Sequence, residues 1–403
     1  MLKERKLGRV DQIPPKATLV RLDQIGNFSK GKGISRSDLS EKGFPCLRYG
    51  EIYSTYGITI SRLRSRVSPK AAASAQVLKT GDIVFAASGE TLSEIGKAVA
   101  YVGQEPAYVG GDTIILRDHD QDSVFLAHAL NSEHAIRQKA RLGKGQSVVH
   151  IHAPDLSGVE IYLPHPSEQR KVAEILRTWD EALEKLAALR EAKEKRLAGL
   201  RDRLLFGTLR AGKQRSNWPL RRISEVTYEI TNRNGDMSLG RELVMGVTNK
   251  RGIVPMREQT VAGDIARYKY LPSSAFAYNP MRINVGSIAM NEASETVLVS
   301  PDYVVFGCNP DGIEPDYLDH LRKTPWWAHY INSGGSGSVR QRTYYADLAA
   351  LRLPLPDSDE QREIVAILNA AKADLLSTEQ MIEAVKLQKR GLMQKLLTGE
   401  WRV

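Results

Sequence analysis

The chain has 403 residues, 42% hydrophobic, 26% charged and 7% aromatic, the composition of a folded globular protein with room for two or more domains. No apolar run reaches the ~20 residues of a membrane helix, and the polar start MLKERKLGRVDQ does not read as a secretory signal, so a cytoplasmic chain is expected. Cys46 and Cys308 stand far apart and outside any C-x-x-C pattern, which argues against a disulfide framework or a thiolate zinc site; the excess of 57 Lys+Arg over 47 Asp+Glu, a net +10, predisposes toward polyanions, nucleic acid first among them.

In chain order, residues 1–166 read as a mixed α/β head. Short β-rich runs such as GDIVFAAS and GDTIILR are punctuated by Gly and Pro turns. A helical stretch, VFLAHALNSEHAIRQKARL, follows, then a Gly-rich turn, a short strand and Leu163-Pro164. Residues 167–212 are dense in Ala, Leu, Glu, Lys and Arg, open on the plausible N-cap Ser167 with Glu168, and stop at Gly207. Apolar residues at Val172, Ile175, Trp179, Ala182, Leu186 and Leu189 step by three and four. The stripe breaks at Lys193 and resumes at Leu197, Leu200 and Leu204. Residues 213–357 repeat the head, with ELVMGVT and ETVLVSPDYVVFGC as strands and PDYLDHLRKTPWWAHYI as the helical stretch. Residues 358–403 repeat the long helix, with Ile364, Ile367, Ala371, Leu375, Met381, Val385, Leu392 and Leu396 on its stripe.

One register links the two halves. Glu168-Gln169-Arg170 recurs as Glu360-Gln361-Arg362. The same offset carries His128 to His320, Gly143 and Gly145 to Gly335 and Gly337, Leu176 to Leu368, Leu204 to Leu396 and Gly207 to Gly399. Even the closing GLMQKLLTGEWRV is foreshadowed by GLRDRLLFGTLR at mid-chain. Units this long exclude a solenoid; the chain is a duplicated head-and-helix. A long amphipathic helix cannot bury its stripe alone, and two of roughly 55–60 Å can bury one against the other. The expected fold is therefore α+β: two mixed α/β domains separated by two long helices that pair as an antiparallel coiled coil, a pseudo-twofold internal duplication.

Such an object suits duplex DNA, with each head reading a different half-site across unread base pairs. In the first head the polar, basic candidates are Lys30, Lys32, Arg36, Arg48, Tyr49, Tyr53, Arg62 and Arg64, with Lys144, Gln146, His150 and His152 in the Gly-rich loop. In the second they are Asn232, Arg233, Asn249, Lys250, Arg251, Arg282 and Asn284, with Arg340, Gln341, Arg342, Tyr344 and Tyr345 in the corresponding loop. Lys and Arg suit phosphates, Arg suits guanine, and Asn and Gln suit adenine. For any single one of these a solvated surface role competes, and the two Gly-flanked loops carry the argument because glycine permits close backbone approach. Chemistry is sparse by comparison. YNPMR at 278–282 begins like an adenine-methyltransferase motif but lacks its aromatic, so a strand-end turn is expected. No Walker A sequence occurs, His150 and His152 lack further metal ligands, and the carboxylates of PDGIEPDYLDH fit a helix start.

The LP…EQR…IL entry to a long helix that closes in GLxxxLLxG resembles the specificity (S) subunit of type I restriction–modification systems, over the full length of the chain. That resemblance implies a non-catalytic subunit whose two target-recognition domains read a bipartite asymmetric site while its helices set the spacer. It further implies two modification (M) subunits that bind S-adenosylmethionine, restriction (R) subunits where present, and no cofactor or metal in this chain. The competing expectation is a coiled-coil adaptor whose heads bind protein or RNA.

Overall fold

The computed structural model describes residues 18–210, 218–249, 251–333 and 342–403. Two units are formed, one from Met1–Ala188 with Gln380–Val403 and the other from Leu189–Glu379. Each thus contains one head together with helical residues from both copies of the repeat.

Each head holds two main sheets whose strand orders match, except that one sheet of the first head carries a fifth strand. In the first unit, one runs Asn27–Lys30, Thr113–Arg117, Ile83–Ala86, Ala98–Tyr101 and Thr59–Ile60; the other runs Ser65–Val67, Leu39–Leu47, Ala107–Val109 and Gln76–Leu78. In the second unit the orders are Thr227–Glu229, Val304–Cys308, Phe276–Tyr278, Ile288–Met290, and Gly252–Pro255, Val244–Thr248, Val297–Val299, Lys269–Leu271. The second sheet of each head has its parallel pair at the centre, Leu39–Leu47 beside Ala107–Val109 and Val244–Thr248 beside Val297–Val299. Central strands such as Ile83–Ala86 and Val297–Val299 are buried throughout, which is why they read as unbroken apolar runs. A two-stranded antiparallel ribbon joins the ends of each head: Thr18–Arg21 with Glu160–Leu163, and Leu220–Arg222 with Arg352–Pro354.

The helical stretch of each head is two helices, not one. Ser123–Leu130 ends at Asn131, whose side chain bonds the Ala98 backbone in both directions, and Ser132 caps Glu133–Leu142. Pro315–Leu321 and Pro325–Ser333 break at Thr324, whose hydroxyl donates to Leu321 O (2.7 Å) and accepts from Trp327 N (3.3 Å).

The long helices run Pro166–Leu204 and Ser358–Leu397. The first turn of each carries a glutamine that works as a tether. The Gln169 amide accepts from Asp122 N (3.1 Å) and donates to Pro164 O (2.9 Å) and Gln121 Oε1 (2.7 Å). Gln361 accepts from Glu314 N (2.8 Å) and donates to Pro356 O (2.9 Å) and Gly312 O (3.1 Å). The neighbouring glutamate takes a cation from the other copy's ending. Glu168 is held by Arg402; Glu360 is held by Arg210 (3.0 Å) and by Trp218 Nε1 (2.7 Å), with the Arg210 guanidinium 4.3 Å over the Trp218 ring. Both endings turn off the helix at a glycine of positive φ, +68° at Gly207 and +71° at Gly399, a conformation glycine adopts without strain. Matching bonds, Leu209 N to Arg203 O and Trp401 N to Lys395 O, close the two turns.

Within each unit the helical segments pair antiparallel. In the first, Val172 and Leu176 are buried with Leu396 and Leu397 against the head, Ile175 and Leu392 are partly buried beside them, and Asp180 binds Lys389. Trp179, Leu186 and Val385 are half-buried. In the second, Leu197, Leu204, Ile364 and Leu368 are buried together with Leu200 and Leu375 partly so. Lys193, the break in the stripe, is itself a contact: its Nζ bonds Asp374 Oδ1 (2.7 Å) and the buried Thr378 Oγ1 (2.8 Å). Leu189 and Ile367 lie outside the seam, 44% and 40% exposed. Ile367 precedes the buried Leu368 by one residue, a rotation of about 100° that carries its side chain away. Leu189 borders the stretch where the contact is polar.

A buried histidine sits at each head–helix junction. His128 Nε2 lies 3.1 Å from Asp180 Oδ2. His320 Nε2 donates to Asn369 Oδ1 (2.9 Å) and its Nδ1 accepts from Arg201 Nε (3.2 Å), a pattern that requires the neutral ring. Burial, with the Arg201 cation beside it, pushes the His320 imidazole down to about 4.

Two predictions follow from these junctions. Gln361→Leu strands three backbone groups, one amide and two carbonyls, and should lower the stability of the second unit by about 2–3 kcal/mol in urea unfolding. For His320, the unfolded imidazole takes a proton near 6.5, whereas the folded one resists it until about 4. Stability is therefore fully present above 6.5, falls as pH drops through this window, and levels off near 4, a loss of roughly 3 kcal/mol. Urea titrations across that window should show a flatter pH dependence for His320→Gln.

Candidate nucleic-acid interface

The Gly-rich loop of the first head is a closed hairpin. Lys144 and His150 exchange backbone hydrogen bonds (2.9 and 2.7 Å), and between them Gly145 takes φ +123°, where a Cβ would lie 2.0 Å from the Val148 carbonyl oxygen. Gln146 is exposed in the turn so formed. The strand Val149–His150 pairs antiparallel with Ser88–Gly89, and the Ser88 hydroxyl bonds His150 Nδ1 at 2.9 Å. Tyr53 reaches the same segment, donating from its hydroxyl to the Glu94 carbonyl (3.3 Å). The fold therefore brings Tyr53, Lys144, Gln146 and His150 together around residues 88–96, a segment that nothing basic or aromatic marks in the sequence. His152 follows the buried Ile151 and is exposed, and its backbone N–H donates to Asp155 Oδ2 (3.1 Å) at a helix start. Lys144 is itself paired with Asp155 at 3.2 Å.

The remaining first-head candidates are dispersed. Lys30, Lys32 and Arg36 are exposed on and after the edge strand Asn27–Lys30. Arg62 and Arg64 are exposed in a loop, where the Arg64 amide donates to the Tyr56 hydroxyl (2.7 Å). Tyr49 is 38% exposed. Arg48 is half-buried, with its side chain 3.6 Å from Glu51 of the helix it precedes.

In the second head the corresponding strand end is also a turn. Asn279 and Pro280 end the strand Phe276–Tyr278 in a turn: Asn279 Oδ1 accepts from Met281 N (2.9 Å), Arg282 N donates to Asn279 O (2.9 Å), and Gly286 takes φ +84°. Arg282 and Asn284 project from this turn into solvent. Thr343 N donates to Pro280 O (3.1 Å), just as Ile151 N donates to Ala87 O (2.9 Å) in the first head. That bond sets the exposed Arg342 and Tyr344 beside the turn. A groove of about 840 Å³ opens alongside, lined by Asn249, Arg251, Asn284, Trp327 and Lys372 among others. Asn232 lines a separate hollow of about 580 Å³ with Tyr228 and Tyr270, while Arg233 bonds the Arg267 carbonyl (3.3 Å).

Tyr345 is turned inward, its hydroxyl 2.9 Å from Thr227 Oγ1 and its ring 6.0 Å from Phe306, because it opens a helix that packs on the head; it is a core contact, not a surface one. Lys250, Arg340 and Gln341 lie outside the described residues. Three acidic residues of PDGIEPDYLDH serve the structure: Asp319 holds Arg322 (2.6 Å) and Lys323 (2.5 Å), Asp316 accepts from Asn369 (3.0 Å), and Glu314 lies 3.6 Å from Arg362. Among the described residues no group of three or more His, Cys, Asp or Glu is placed to hold a metal ion. No helix among them is long and apolar enough to cross a membrane.

Residues 14–194 match the family described as the type I restriction modification DNA specificity domain. The specificity subunit of the type I restriction enzyme MjaVIII of Methanocaldococcus jannaschii is 29% identical over 216 residues, 52% of this chain and 50% of that protein. The match thus spans about half the length of this curated relative. Among solved structures, the S subunit of a type I restriction–modification system from M. genitalium aligns over 98% of both chains at a TM-score of 0.58 and 15% identity. A chain from a study of complex assembly and conformational transition of the type I system aligns over 97% of this chain and all of that one, at 0.55 and 17%.

Proposed function

We infer that this chain, which carries a type I restriction modification DNA specificity domain in residues 14–194 and shares the fold of a type I S subunit along its whole length, is the DNA-specificity subunit of such a system. The observation that carries the reading is the duplication itself. Two heads of matching topology each hold a strand end to the segment before a short helix by one backbone bond, Ile151 N to Ala87 O and Thr343 N to Pro280 O, and the exposed side chains nearby differ: Gln146 and His150 in one, Arg282, Asn284 and Arg342 in the other. Each head, residues 1–166 and 213–357, reads one half of an asymmetric bipartite site. The helices, within 167–212 and 358–403, set the number of unread base pairs between the halves.

Affinity comes from Lys and Arg on phosphates and discrimination from the few side chains at base edges. The exposed candidates in the two loop pairs are the recognition surface; Lys30, Lys32, Arg36, Arg62 and Arg64, away from the loops, supply charge. Methyl transfer from S-adenosylmethionine belongs to modification subunits docked on this chain in the cytoplasm, and cleavage to restriction subunits where the system has them; this chain itself is non-catalytic.

Exchange of residues 18–160 for the head of another such chain tests the reading. Methylome sequencing should show one half of the modified sequence replaced and the other retained; a change in both halves or in neither defeats it. At the first head, Arg62→Ala and Arg64→Ala, away from the loops, should each weaken binding of the assembled complex to any duplex alike and lower the slope of log K against log salt by about 1, measured by fluorescence anisotropy over a salt series.

A further inference from the structure

Lys139 is buried to 1% exposure in the first head, on the helix Glu133–Leu142. Its Nζ donates to the Gly96 carbonyl at 2.5 Å, and burial alone brings its ammonium down to about 7. A buried lysine is costly to keep, so its retention asks for a reason. The second copy of the repeat supplies a comparison inside the same chain. The register that takes His128 to His320 takes Lys139 to Ile331, so this fold does not require a lysine there.

What differs between the copies is the carbonyl beneath the loop. Gly96 and Gly286 occupy equivalent places: each has a positive φ, +66° and +84°, and each lies just before the strand Ala98–Tyr101 or Ile288–Met290. In the second head the Gly286 carbonyl accepts from its own backbone, Ile288 N, at 2.9 Å. In the first, the Gly96 carbonyl takes the lysine instead. The stem of Lys139 also runs close under the loop, for a Cβ on Gly96 would meet Lys139 Cδ at 3.0 Å and Ile151 Cγ2 at 3.7 Å.

We infer that Lys139 is a positioning residue for sequence reading by the first head: it pins residues 88–96 from below and thereby fixes His150, through Ser88, and Tyr53, through the Glu94 carbonyl. The inference rests on the function proposed above. Base discrimination depends on side chains held to within a fraction of an ångström, and a supporting hydrogen bond beneath a loop is what holds them.

The test uses the chain assembled with its methyltransferase partner, on duplexes altered by one base in either half of the recognised site, the halves assigned to heads by the exchange experiment. Lys139→Met should reduce discrimination within the first head's half by about tenfold, leave the other half unchanged, and have its effect reversed in Lys139→Arg, which keeps a buried donor. Lys139→Ile, the other copy's residue, should behave as Lys139→Met does. Unaltered discrimination in the Met and Ile variants overturns the inference, and so does an equal loss in both halves. Failure of Met and Ile variants to fold while the Arg variant folds would make the lysine a structural support and also overturn it. Absence of sequence dependence in the unaltered complex is a different failure, which removes the proposed function and the inference together.

Discussion

Everything in this chain hangs on how a head is fastened to a long helix, and one dipeptide does the fastening. In Glu168-Gln169 and Glu360-Gln361, the glutamine satisfies backbone groups on both sides of the junction, and the glutamate is neutralised by an arginine from the opposite copy's ending. An amide has donors and an acceptor on one rigid plane, so it can bridge a free N–H at one helix start and a free carbonyl before another. A carboxylate in the first turn is already favoured by the helix dipole. Its pairing with Arg402 or Arg210 then ties the start of one helix to the end of the other.

With the frame fixed in this way, the two copies are free to differ elsewhere, and they do so in charged groups at equivalent places. The buried His128 faces Asp180, which in turn holds Lys389, whereas His320 faces Arg201 and Asn369. Lys389 corresponds in the repeat to Leu197 and Arg201 to Met393. Pairing a copy with its like would therefore set Asp180 against a leucine, leaving a partly buried carboxylate without its cation, a costly arrangement. The same charges that add little net stability where they are satisfied thus favour the unlike pairing.

Much of this was legible in the sequence, for identifiable reasons. The long helices announce themselves because a period near 3.6 persists without Pro, and the repeat fixes their register residue by residue. The end glycines are legible because positive φ leaves few alternatives to glycine. Other features were hidden. Asn131-Ser132 reads as the middle of a helix because only the fold shows Asn131 serving the Ala98 backbone. Tyr345 looks like a surface aromatic beside basic residues until Thr227 and Phe306 close over it. Residues 88–96 carry two glutamates and no cation before Lys97, so a search for basic stretches passes over them; their place beside His150 arises from a two-residue strand pairing between segments distant in sequence.

The two closing segments, GLRDRLLFGTLR and GLMQKLLTGEWRV, show what the duplication retains. They share Leu204 and Leu396 in the cores, Gly207 and Gly399 in the turns, and Arg210 and Arg402 on the opposite copy's glutamate. Between these fixed points the residues vary, and the aromatic beside the arginine is supplied differently: Trp218 stacks under Arg210 from the following segment, while Trp401 precedes Arg402 and packs on Lys395 instead. The arginine must travel to a carboxylate on another helix, and a turn through positive φ is what directs the chain there. A chain end that has to clasp its counterpart's beginning is constrained twice in one sequence, and the constraint is written out at both places.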